Sequence, residues 1–331
     1  MMPLLRFLKP YLHRDTLLPL VALLLLLLAA FKPTVPIPRN IYSYMLVMDI
    51  SQSMNTKGMH WRGNEVSRLD YAKHLAHDLV AGMPCGTRVS LAFFSGVSVA
   101  ALYTPIEVCA NYATIQDTIA RAEWRQAWSG NSRLREGVDS LSRLLRTMPE
   151  QTQAIFLTDG EEAPRLHTFN TRDLANFQGA GDWLMVGIGS KEPQPIPKFD
   201  ENNKLLGYWS AENFVMQPGV AQISQQNLGA RDERTASSAN DRYQSTMDEE
   251  YMLKLSQEIG ARYVNGDSLE DVRSEMGKLK PSRRDFSPMH VDWILALIAG
   301  ALLLSSYAPQ RLKKLLKRLS HRLSHPPSAK S

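Results

Sequence analysis

The sequence predicts an α/β fold, a doubly wound sheet flanked by an N-terminal and a C-terminal transmembrane helix, and three observations carry that expectation. Apolar runs that end abruptly in polar loop residues alternate with segments of helical spacing, the pattern of parallel strands joined by crossover helices. Two apolar stretches, residues 16–31 and 291–308, bracket that alternation, and the second is long enough for a bilayer span while the first is marginal. Basic residues gather outside both: Arg6, Lys9 and Arg14 before the first, and seven Lys or Arg after the second.

The basic flanks place both ends in the cytoplasm and residues 32–290 across the membrane, in the periplasm if the host is a Gram-negative bacterium with the chain in its inner membrane. The expected organisation is a cytoplasmic N-terminus (1–15), a span or signal anchor (16–31), a proline-stiffened linker (32–40), a periplasmic domain (41–282) with an irregular excursion at 191–247, a span (291–308) and a basic cytoplasmic tail (309–331). The first stretch also reads as a signal segment, although Leu28-Ala-Ala30 is a poor cleavage site. Of 38 Lys and Arg against 33 Asp and Glu, the flanks hold ten basic residues together with Asp15 and Asp292. The part between carries 28 basic and 31 acidic residues, net −3, so the overall +5 marks topology and not a nucleic-acid surface.

In order along the chain, residues 41–48 read as a buried strand delivering Asp49, Ser51 and Ser53 to a loop at its carboxyl end. A variable loop (54–64) leads to a helix at 66–81, whose stripe of Leu69, Ala72, Leu75, Ala76, Leu79 and Val80 packs on the sheet. Two β-rich runs, 87–95 and 98–103, suggest a hairpin centred near Val97. That register brings Cys85 and Cys109 to face each other, as a disulfide in an oxidising compartment or as two buried thiols. A short helix (112–122) and a polar loop (123–132) precede a second strong helix reaching about residue 148. A strand at 153–158 ends in Asp159-Gly160-Glu161-Glu162, and another at 183–189 ends in Gly-Ser. After the excursion, whose stretch 224–246 is polar enough to be mobile, come a helix (250–259), an edge strand (261–265) and a closing helix (268–280).

Asp49, Ser51 and Ser53 offer one carboxylate and two hydroxyls at i, i+2 and i+4, an all-oxygen set suited to a hard divalent cation. On these residues alone, a Ser/Asp turn capping the next helix remains open. Joined by Ser132 in a Gly-Asn-Ser loop and by Asp159 in Leu157-Thr-Asp-Gly160, they resemble the three-part metal-ion-dependent adhesion site of von Willebrand factor type A domains, over residues 42–280. The resemblance implies a Rossmann-like fold and a cation, Mg²⁺ first with Ca²⁺ or Mn²⁺ also accepted. It implies that Ser51 and Ser53 ligate directly, that Ser132 stands where Thr is usual, and that Asp49 and Asp159 hold waters. A carboxylate from a protein partner then fills the open position. Ser132 as a helix N-cap is the plainer alternative.

The flanking apolar segments and the Ile196-Pro197 … Gly207-Tyr208 excursion are similar to Bat-type aerotolerance proteins, which work with MoxR-type ATPases. Pro84-Cys-Gly-Thr-Arg-Val89, Trp124-Arg-Gln-Ala-Trp128 and the Asp159 loop with its following Glu-Glu-Ala-Pro164 are more similar to the MxaL and MxaC accessory proteins of methanol-oxidation clusters. That resemblance implies maturation of a periplasmic dehydrogenase, including calcium insertion, alongside other von Willebrand A proteins. Trp124, Arg125 and Trp128 on the loop, with Glu161 and Glu162 beside Asp159, are candidate partner contacts, and the tryptophans read equally well as core. No Gly-x-Ser-x-Gly elbow, His-Glu-x-x-His pair or phosphate-binding loop occurs, and His74 and His77 lack further ligands nearby. A binding role is expected rather than an enzyme, with metal-dependent hydrolysis the minor alternative.

Overall fold

The computed structural model describes residues 14–163, 165–166, 171–174, 177, 180–211 and 235–307. The basic tail and residues 224–234 of the polar stretch lie outside them. Helix α1 (Arg14–Ala30) and strand β1 (Thr34–Ile41) open the chain. Then follow β2 (Ser43–Asp49), β3 (Met59–Trp61), β4 (Asn64–Val66), α2 (Arg68–Ala81), β5 (Arg88–Ser95), β6 (Ser98–Ala101), β7 (Ile106–Glu107), α3 (Tyr112–Ala120), α4 (Leu134–Arg146), β8 (Gln153–Thr158) and β9 (Trp183–Gly187). The excursion carries β10 (Gln194–Pro195), β11 (Pro197–Phe199), β12 (Leu205–Tyr208) and β13 (Gln244–Ser245). Helix α5 (Glu249–Ile259), β14 (Arg262–Asn265), α6 (Leu269–Gly277), β15 (Arg283–His290) and α7 (Asp292–Tyr307) complete the order.

The chain forms two compact units, residues 1–39 with 285–331 and residues 40–284. In the first, α1 packs on α7, and the 32–40 segment, expected as an extended, proline-stiffened linker, is extended for most of its length as β1, which pairs with β15. The expectation that the two flanking segments are transmembrane helices finds no support. Both are helical, and among the described residues no helix is long and apolar enough to cross a membrane.

The second unit is built on one sheet in the order β14-β9-β8-β2-β5-β6, with β7 also on β5. The strands from β14 to β5 are mutually parallel, and β6 and β7 run antiparallel. Strand β2 is buried throughout. Its side chains alternate between two cores: Leu46 and Met48 join α2, α3 and α6 on one face, and Met45 and Val47 join α4 and α5 on the other. The strand leaves by α2 to β5 on one side, whereas β8 arrives on the other side, so β2 and β8 flank the point where the winding reverses. Loops at the carboxyl ends of strands open a crevice there.

Local differences from the expected elements have local causes. Residues 59–66, overlapping the expected loop 54–64, form the β3–β4 hairpin, whose two-residue turn places Arg62 at φ 51° and Gly63 at φ 85°, the left-handed pair that a tight hairpin requires. The second hairpin turns at Gly96-Val97, because Ser95 pairs with Ser98. Its register then shifts so that Arg88 pairs with Glu107 on β7, and Cys85 and Cys109 form a disulfide with Cα atoms 5.2 Å apart.

Candidate metal centre

Asp49 is the last residue of β2 and is fully buried. Its carboxylate is held from two sides: Oδ1 accepts the Ser51 N–H at 2.9 Å and Oδ2 accepts the Thr158 hydroxyl at 2.7 Å, a tie between the ends of β2 and β8. Ser51 and Ser53, in the single 3₁₀ turn that follows, are buried with their hydroxyl oxygens 3.2 Å apart. Asp159, also fully buried, accepts the Glu161 N–H on Oδ1 at 3.0 Å and the Arg68 guanidinium on Oδ2 at 2.8 Å.

Ser132 reaches this group through backbone. Its carbonyl accepts the Ala163 N–H at 2.7 Å, and on either side of it Gly96 and the loop exchange bonds, Gly96 N–H to Asn131 and Arg133 N–H to Gly96, both 2.8 Å. The loop thereby lies between the end of β5 and the Asp159 turn. Gly96 permits the approach: at φ 62°, with a would-be Cβ 2.9 Å from Ser129, no other residue fits. Ser132 is not the N-cap of α4. That position belongs to Arg133, and the buried amide of Arg135, in the first turn, donates to the Glu162 carboxylate at 3.2 Å. The Ser132 hydroxyl is buried with no hydrogen-bond partner among the described residues.

The donor set is thus all oxygen, buried and incompletely satisfied, and it fits a hard divalent cation. Burial, then the neighbouring Asp159 charge, push the Asp49 carboxyl up to about 7 against the bonds from Ser51 and Thr158. Burial and Asp159 likewise raise Glu161 to about 7. Both shifts describe negative charge held out of water with less compensation than it needs.

The other expected contacts separate. Trp128 is 45% exposed. Trp124 is half-buried, partly packed on the core and against Phe199, its indole N–H donating to Asn203 at 3.3 Å. Arg125 donates to the Glu201 carbonyl at 2.7 Å. The β11–β12 hairpin is therefore folded over this loop, leaving a cleft of about 760 Å³ bordered by Gln52, Trp124, Arg125, Gly130, Lys198 and Glu201. Glu161 and Glu162, expected at a contact surface, are only 8% and 7% exposed. Two participants escaped the sequence reading. Arg68 at the start of α2 looks like an ordinary solvated helix-end residue, and Ser245 gives no local signal; only the fold brings them onto Asp159 and Glu161.

Fold and donor set define a class, a doubly wound α/β domain with a buried all-oxygen cluster at the switch point of its sheet. Residues 44–162 match the family model of the von Willebrand factor type A domain. Among solved structures it is similar to an aerotolerance-related membrane protein of Bacteroides fragilis, with 16% identity, 72% of this chain and 100% of that one covered, and a TM-score of 0.47. It is also similar to an uncharacterized membrane-spanning protein of Vibrio fischeri, with 19% identity, 71% and 95% covered, and a TM-score of 0.28. No curated protein matches the chain.

Proposed function

We propose that the chain is a non-enzymatic interaction module that holds a divalent cation on Ser51, Ser53 and Ser132, with Asp49 and Asp159 orienting its waters, and that captures a protein partner through a carboxylate. The observation that carries this reading is the Ser132 hydroxyl, buried and, among the described residues, without a partner, on a loop tied by backbone to the Asp159 turn. When bound, the cation supplies an electrophilic position that neutral hydroxyls leave unsatisfied and an acidic side chain completes. Asp49 fixes the Ser51 backbone and Thr158, so the chain itself sets the hydroxyl geometry before any partner arrives.

The module works at the periplasmic face of a bacterial inner membrane, held there by α1 and α7. Leu20, Leu23, Leu297 and Leu304 on these helices are exposed, an apolar surface that lipid covers. Its task is assembly of a periplasmic dehydrogenase of the methanol-oxidising kind, including metal insertion. A second reading, an envelope-stress component working with a MoxR-type ATPase, draws on the excursion named for that family, whose Pro197 and Tyr208 pair in the β11–β12 hairpin.

The test is calorimetric titration of Mg²⁺ and Mn²⁺ into the purified chain, with capture of partners from periplasmic extract in the presence and absence of EDTA. Asp49→Ala is expected to abolish cation binding and cation-dependent capture while the protein stays folded. Cation binding undiminished in that variant overturns the reading. A dehydrogenase subunit in the captured fraction supports the first assignment, and an ATPase of the MoxR class the second.

A further inference from the structure

We propose that the cavity between the Glu161-Glu162 turn and α5 is a subsite for a guanidinium or ammonium group, taking an arginine or lysine side chain of the protein partner; this rests on the interaction-module reading above. The cavity is about 360 Å³, at the small end of ligand sites and of a size for one side chain. Glu161, Glu162, Asp248, Tyr243, Tyr251 and Arg165 line it, three carboxylates and two phenol rings against one guanidinium.

Glu162 carries the argument. Its Oε1 accepts the Tyr251 hydroxyl at 2.6 Å and the Arg135 N–H at 3.2 Å, whereas Oε2 is buried with no hydrogen-bond partner among the described residues. A buried carboxylate oxygen without a donor is costly, and a native structure retains one where something outside the chain completes it. Among the described residues no neighbouring cation meets Glu162 Oε2. Arg135 grips Glu258 with two nitrogens, at 2.9 and 2.5 Å. Arg68 serves Asp159 and Ser245, and Arg165 is hydrogen-bonded to Tyr243. Burial holds the Glu162 carboxyl up at about 7, the behaviour of a carboxylate short of its countercharge.

The entering group is a cation with N–H donors, because the unpartnered Glu162 oxygen needs a donor and the three carboxylates outnumber the resident Arg165 guanidinium. Arg165 lies 6.0 Å over the Tyr243 ring, so Tyr251 is the aromatic wall offered to a further cation.

The experiment titrates Nα-acetyl-arginine amide into the full chain in EDTA, followed by protein NMR, with the neutral Nα-acetyl-citrulline amide as control. Saturable binding is expected for the arginine compound, at least tenfold weaker for citrulline, and at least tenfold weaker in Glu162→Gln. Asp248→Asn provides a second variant: Asp248 caps α5 by accepting the Tyr251 N–H at 2.9 Å, a role Asn keeps, so the fold persists while the cavity loses a charge. It is expected to weaken the arginine compound several-fold and leave citrulline unchanged. Equal binding of the two compounds, absence of saturation, or undiminished binding in either variant overturns the subsite. Because EDTA is present throughout, such a failure alongside intact Mn²⁺ binding sinks the subsite alone, and loss of Mn²⁺ binding alongside saturable arginine binding sinks the metal reading alone.

Discussion

The Arg68 guanidinium lies 2.8 Å from the Asp159 carboxylate, and both side chains are fully buried. The same guanidinium reaches the Ser245 hydroxyl at 2.8 Å and its carbonyl at 3.1 Å, so the first residue of α2 ties the Asp159 turn to the returning end of the excursion. Removing one member of such a pair strands a buried charge, a loss of about 3–5 kcal/mol. Arg68→Met is therefore expected to destabilise the protein by that amount in urea unfolding, and Asp159→Asn in the same chain to restore a large part of it. A double-mutant cycle with coupling under about 1 kcal/mol would instead assign Arg68 to packing.

Ser132 separates cation binding from stability more cleanly. Its hydroxyl makes no hydrogen bond among the described residues, so Ser132→Ala is expected to leave the unfolding free energy of the cation-free protein unchanged within about 0.5 kcal/mol. The same change is expected to weaken Mg²⁺ binding at least tenfold, read by calorimetry. Ser132→Thr keeps the oxygen and stiffens the rotamer, and is expected to tighten binding. Equal Mg²⁺ affinities in the wild-type and Ala proteins remove Ser132 from the ligand set.

What the sequence made legible follows from which forces are local. The run Met45 to Met48 and the stripe Leu69 to Val80 are buried where their periodicity puts them, since burial on a sheet face or helix stripe is a property of spacing. Asp49, Ser51 and Ser53 stand together because five consecutive residues fix them. The β1–β15 pairing, the burial of Glu161 and Glu162 and the reach of Arg68 were not legible. Each depends on a partner more than 80 residues away, or on packing that closes over a polar side chain after the chain has folded.

The Cys85–Cys109 bond closes a loop with a sequence separation of 24 around β5, β6 and β7. Loop-closure entropy for that length gives a contribution of about 3.5 kcal/mol. Reduction, or the paired change Cys85→Ser with Cys109→Ser, is expected to lower the unfolding free energy by about that amount while Mg²⁺ binding persists, because neither cysteine touches the Asp49 cluster. A loss below about 1 kcal/mol would show that the β5–β6 register is held by its ladder alone.

Glu162 sets a pH dependence whose sign follows from its burial. Its folded-state value, about 7, lies above the 4.5 of an unperturbed glutamate, so the native protein binds this proton more tightly than the unfolded chain does. The stabilisation is complete below about 4.5, declines as pH rises from there to 7, and is lost above. A difference of that size corresponds to at most about 3 kcal/mol. Asp49 and Glu161, both raised to about 7, add slopes of the same sign, so the measurement is a comparison between proteins in EDTA. Urea unfolding at a series of pH values is expected to show the wild type losing stability between pH 4.5 and 7, with a shallower decline in Glu162→Gln. The absolute stability of that variant is not the test, since the amide brings N–H donors to a position that held none. Parallel curves for the two proteins would mean that Glu162 is ionised in the native state across this range, its charge already compensated from within the chain.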